Sequence, residues 1–117
     1  MFEGFIAGEI VKAQLNAGRR RELYYFRDQQ GLEVDFVVPG KGSALRLVEA
    51  KATRTVSPGD AAPMQRLATA WKKRPGAKRR LEQMLVHRPA RAGVASRAVA
   101  AGVQAWPWPE FVTKLLE

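Results

Sequence analysis

The 117-residue chain contains no cysteine. That single absence excludes disulfides, thiolate metal sites and cysteine nucleophiles. It has one histidine, His87, which leaves no partner set for a zinc site or a Ser-His pair. No stretch approaches the ~18 uninterrupted apolar residues that a membrane-spanning helix requires. The first turns carry Glu3, Glu9 and Lys12, a pattern unlike a secretory signal. No G-x-x-x-x-G-K-[ST] string occurs, so a P-loop is missing. These absences set a soluble cytoplasmic protein as the expectation.

Acidic charge is also scarce. Twenty Lys plus Arg stand against eleven Asp plus Glu, a formal net charge of +9, and 46% of the residues are hydrophobic. That apolar fraction is ordinary for one globular domain, and the length suits a single core spanning residues 1–117. The basic surplus is clustered at Arg19, Arg20 and Arg21, at Lys72, Lys73 and Arg74, at Lys78, Arg79 and Arg80, and at Arg88 and Arg91. Clusters of this kind favour a polyanion, with nucleic acid the commonest candidate. The plainer reading is a solvated basic surface. No long amphipathic basic helix accompanies the charge, which argues against a membrane surface.

Periodicity sets out the elements. Phe2, Phe5, Ile6, Ile10 and Ala13 fall on one helical stripe, ending at the Ala17-Gly18 cap signal. Glu9 lies in the middle of that stripe. "ELYYFRD", "LEVDFVV" and "ALRLVEAK" read as three strands joined by short turns, an antiparallel meander. A proline-opened helix is expected at "PMQRLATAWKK", a strand around Met84–Val86, another at "VQAW", and a terminal helix at "WPWPEFVTKLLE". The Ala-rich "RPARAGVASRAVAAG" reads as a loop plus a short helix. The order specifies an α/β domain with a central mixed β-sheet flanked by helices.

Within the strands, acids occupy places where apolar residues are expected. Glu49 and Lys51 share one face of their strand by the period-two rule. If the intervening loop centres near Gly42, Asp35 stands opposite Glu49, with Cβ atoms ~5 Å apart. Centring the loop one residue earlier would set Glu33 there instead. Two carboxylates side by side in an apolar sheet repel, and desolvation adds to the cost. A cation between them would offset both. Hard oxygen donors with waters completing the shell suit Mg²⁺ or Mn²⁺. Glu9, on the buried face of the first helix, is expected to approach the same sheet face as a third acid.

The string G-L-E-V-D-F-V followed by a strand bearing E-A-K resembles the D-x(n)-E-x-K core of the PD-(D/E)xK, restriction-endonuclease-like nuclease superfamily. With "FEGFIAGEIVK" and "YYFRD" ahead of it, the pattern over Phe2 to Thr53 is similar to the C-terminal domain of bacterial and archaeal AAA+-type ATPases. The resemblance implies an α-β-β-β-α-β core and metal-dependent phosphodiester hydrolysis of DNA. It implies Asp35 and Glu49 as Mg²⁺ ligands, Lys51 as the catalytic lysine, and Glu9 as a helix-borne acid supporting the metal. It further implies a chain that is the C-terminal part of a larger ATPase or a truncated relative. Arg19, Arg20, Arg21, Lys72, Lys73, Lys78, Arg79 and Arg80 would then hold the phosphate backbone without reading bases.

Plainer readings stand beside these. Asp35 has the pattern of a strand residue paired with Arg46 or Lys51, and Glu9 that of an acid bordering the core. Glu33 reads as a surface or supporting residue, Glu3 as a charge favouring the helix dipole, His87 as structural or phosphate-facing, and the tryptophans as core or edge filling. Gln65, on the helix after the E-x-K strand, is a further candidate to reach the site. The competing function is a catalytically inactive module on the same fold that binds DNA or regulates an attached ATPase.

Overall fold

The computed structural model describes residues 1–27, 33–73, 79–89, 91, 93 and 95–115. The chain runs α1 (Phe2–Asn16), β1 (Tyr24–Arg27), β2 (Glu33–Pro39), β3 (Leu45–Lys51), a short 3₁₀ turn (Pro58–Ala61), α2 (Ala62–Lys72), β4 (Leu81–His87), β5 (Arg97–Ala100), β6 (Val103–Pro107) and α3 (Trp108–Leu115). The strands form one six-stranded mixed sheet in the order β1-β2-β3-β4-β6-β5. β1, β2 and β3 make the expected antiparallel meander, while β3, β4 and β6 run parallel through the centre.

Local chemistry explains the breaks. Gly18 adopts φ 72° just past α1, where its N–H donates to Leu15 O and the Arg19 N–H donates to Gln14 O. This pair of bonds closes the last helical turn, and the left-handed conformation costs glycine least. Between β2 and β3, Gly42 takes φ 61°, and the Gly40 N–H donates to Ala44 O at 2.8 Å to shut the turn. Ser57 and Asp60 cap the 3₁₀ turn reciprocally, with the Ser57 N–H donating to Asp60 Oδ2 at 2.8 Å.

Both faces of the sheet are covered, so the central strands are nearly continuous apolar runs. α1 and α3 cover one face. There Phe2, Ile6, Ile10 and Phe111 pack on Phe36, Val38, Val48, Met84 and Val86. The 3₁₀ turn and α2 cover the other, with Ala61, Met64 and Leu67 against Leu47, Leu85, Val103 and Ala105. Each large side chain buried this way contributes about 1.5–3 kcal/mol. Phe5 departs from the expected buried stripe: it is exposed, and its ring sits edge-on to Trp108 with centroids 5.0 Å apart.

One element differs from expectation. The Ala-rich segment after β4 holds an edge strand, β5, rather than a short helix. Pairing with β6, which aligns Arg97 with Ala105, outweighs the helix preference of alanine. Side chains fix it further: Arg97 Nη2 donates to Val56 O at 3.0 Å, and Gln104 Nε2 donates to Ser96 Oγ at 2.9 Å. Among the described residues, no helix is long and apolar enough to cross a membrane.

Candidate functional site

The β2–β3 ladder pairs Phe36 with Val48, Val37 with Leu47, Val38 with Arg46 and Pro39 with Leu45. Its loop is therefore centred on Gly42, and the next step along the ladder sets Asp35, rather than Glu33, beside Glu49. A feature invisible in the sequence refines this. Between Tyr24 and Phe26, β1 advances two residues while β2 advances three, from Val37 to Val34. The extra residue is a bulge at Asp35–Phe36. It breaks the alternation, so Val34 packs in the α2-side core and Phe36 in the α1-side core. Bulges re-aim side chains, and this one lies at the acidic position of β2.

Asp35 is fixed by β3: its Oδ2 accepts the Ala50 N–H at 2.8 Å. Glu49 is half-buried, and its carboxyl is pushed up to about 8, first by burial, then by the negative charge of Asp35 and a hydrogen bond to it. The Glu49 carboxyl, hydrogen-bonded to Asp35, thus keeps its proton near neutrality. Lys51, two residues along the same strand, pulls the other way, and Glu3 adds a further push upward.

The C-terminal ends of the parallel strands supply the surroundings. Lys51 aligns with His87 of β4. His87 is only 4% exposed, and burial together with the nearby Arg97 guanidinium holds its imidazole below the usual range. Its imidazole is therefore buried and neutral at this end of the sheet. In open sheets of this kind, ligands sit beyond the carboxyl ends of the parallel strands, which is where Glu49, Lys51 and His87 lie.

Other predicted site residues lie elsewhere. Glu9 is half-buried on α1, but its carboxylate faces Lys12 Nζ at 3.2 Å, one turn along the same helix. The helix acid whose charge reaches Glu49 is Glu3, in the first turn. Among the described residues, no three Asp, Glu, His or Cys side chains gather closely enough to hold a metal ion. Arg46 pairs with Glu82 at 3.8 Å rather than with Asp35. Gln65 Nε2 donates to Ala101 O, and Trp106 and Trp108 pack against the α1-side core. The Glu33 side chain, Arg74 and Lys78 fall outside the described residues.

The basic residues divide between the two ends of the sheet. Arg79 Nε donates to Ser43 O at 2.6 Å, and Arg80 Nη2 lies 3.5 Å from Glu82 Oε1, so both belong to the hairpin end. Exposed Arg19 and Arg20 reach that end too, lining a cavity with Pro39 and Arg46. Arg21, Lys72 and Lys73 are exposed beyond α1 and at the end of α2. At the carboxyl end, the Lys51 charge acts on Glu49, while the Arg54 and Arg88 backbones and the Arg97 guanidinium lie beside His87, and the Arg88 guanidinium sits 5.2 Å above the Phe2 ring. Arg54 and Arg97 do not stand out in the sequence, because neither belongs to a run of like charges.

A family model described as a domain of unknown function (DUF4143) matches residues 1–111. No curated protein and no solved structure matches the chain.

Proposed function

We propose that this chain, which belongs to the DUF4143 family of domains of unknown function, carries a nuclease-like site of the PD-(D/E)xK type acting on DNA phosphodiesters. One observation carries the reading: Asp35 and Glu49 meet in a partly buried position, where burial and the Asp35 charge push the Glu49 carboxyl up, with Lys51 on the same strand. Two hydrogen-bonded carboxyls of which one is held protonated are a costly arrangement for a purely structural purpose. The donor set fits Mg²⁺ or Mn²⁺, which bind through one or two carboxylates and keep several waters. A divalent cation bound by Asp35 and Glu49 would supply Lewis-acid polarisation of a phosphate and activation of a water.

The chain's own residues do the rest. The Ala50 amide fixes the orientation of Asp35. Loading the site requires release of the proton on Glu49, which Lys51 favours by stabilising the carboxylate. The Lys51 ammonium then offers positive charge for the extra negative charge that develops on phosphoryl oxygens in the transition state. The Arg54 and Arg88 backbones lie beside His87 at this end, and their exposed side chains suit contact with the phosphate backbone.

The test is plasmid nicking by the purified chain with Mg²⁺ or Mn²⁺. Asp35→Asn and Lys51→Met should each lower the rate by at least about a hundredfold. Undiminished nicking in both variants defeats the assignment. A second reading is favoured by Glu9, which faces Lys12 rather than the carboxyl pair: an inactive nuclease-fold module that binds DNA or regulates an attached AAA+-type ATPase. Calorimetry separates the two. DNA binding without any Mg²⁺ or Mn²⁺ affinity supports the module.

A further inference from the structure

A second polar site lies at the other end of β3, on the face covered by α1. Arg46 and Glu49 are three residues apart, about 10 Å along a strand, and project to opposite faces. Arg46 is 5% exposed, yet its Nε has no hydrogen-bond partner among the described residues. The nearest carboxylate, Glu82, lies at 3.8 Å and is shared with Arg80 at 3.5 Å. A buried guanidinium N–H left without a hydrogen-bond partner is costly unless something else meets it.

What lies before it is a cavity of about 300 Å³, at the small end of the range for ligand sites. Arg19, Arg20 and Arg46 supply its positive charge, Glu22 its one carboxylate, and Ile10 and Leu115 part of its apolar wall. Its rim is built rather than incidental. The Gln14 side chain clamps Glu22 by accepting its N–H at 3.1 Å and donating to its carbonyl at 2.8 Å. The capped end of α1 at Gly18 then turns Arg19 and Arg20 toward the same opening.

We propose that this cavity binds a compact phosphomonoester. Three guanidiniums against one carboxylate leave a net lining charge of +2. A phosphomonoester near pH 7 carries about −1.5 to −2, which matches; a carboxylate or a diester carries about one. Guanidinium forks suit phosphate oxygens, and the apolar wall suits a small carbon skeleton beside them. The site is independent of the carboxyl pair, and its ligand need not be a nucleic acid.

Calorimetry on the full chain with ribose 5-phosphate as the probe tests this, with ribose as the uncharged control. Saturable binding of ribose 5-phosphate and none of ribose is expected. Arg46→Met and the exposed double substitution Arg19→Ser, Arg20→Ser should each weaken it at least about tenfold. Asp35→Asn should leave it unchanged. If Arg46→Met does not fold, the double variant decides alone. Equal affinity in the double variant and the unaltered chain, or equal binding of ribose, overturns the proposal. Displacement of the probe by a DNA duplex without terminal phosphates also overturns it, since the arginines would then be a backbone contact.

Discussion

At pH 7 the Glu49 carboxyl is still mostly protonated, because burial and the neighbouring Asp35 raise it from 4.5 to about 8. The folded chain therefore holds a proton that the unfolded chain has already released. Unfolding free energy should fall as pH rises from about 4.5 to about 8 and flatten above that. After allowance for partial solvent exposure, the loss amounts to about 1–2 kcal/mol. Urea titrations at pH 5 and pH 8 measure it, and Glu49→Gln, which keeps a neutral amide at all pH values, should remove most of the slope. Mg²⁺ should raise the melting temperature more at pH 8 than at pH 6, because the ligand must first lose its proton. The pairing of Asp35 with Glu49 was legible from the length of "PGKGS" and the period-two rule. The bulge that accompanies it was not, because an extra residue in a strand changes neither composition nor hydropathy.

At the scale of elements, α1 shows where a periodic pattern misleads. Its stripe correctly places Phe2, Ile6, Ile10 and Ala13 in the core. The same stripe includes Glu9, but an acid three residues before a lysine has a local partner, and helix geometry favours that pair over a more distant sheet. Glu9→Gln should thus change stability by less than ~0.5 kcal/mol and leave the Mg²⁺-dependent melting shift intact, whereas Glu49→Gln should abolish that shift. Disappearance of the shift in Glu9→Gln would return Glu9 to the site. α3 is short, yet it inserts Phe111 fully into the α1-side core. Phe111→Ala should cost about 3–5 kcal/mol, read as a lower urea midpoint at unchanged slope. β5 escaped the sequence because "RAVA" has one β-branched residue in four and owes its extended form to β6.

Across the whole molecule, the mixed sheet and the order of elements other than β5 were legible because those strands are bounded by glycine, proline or charge. The placement of positive charge was not. Clusters in sequence, such as Arg79-Arg80, end up at the hairpin end, while Arg54 and Arg97, which belong to no run of like charges, lie with Arg88 beside His87 at the carboxyl end. If DNA lies over the carboxyl pair, replacing Arg54 and Arg88 with Ser should lower the log–log salt slope of binding by about 0.9 for each phosphate no longer neutralised. Arg79→Ser should leave that slope unchanged. The topology also separates the strands in time. Leu45 pairs with Pro39 six residues before it, and with Leu81 thirty-six residues after it. The β2–β3 ribbon can zip within microseconds, whereas the crossover to β4 must first close a long loop. Asp35 and Glu49 are accordingly brought together while still wet, and their repulsion matters only once the helices seal both faces. Raising the pH from 5 to 8 should therefore quicken unfolding and leave the refolding rate almost untouched.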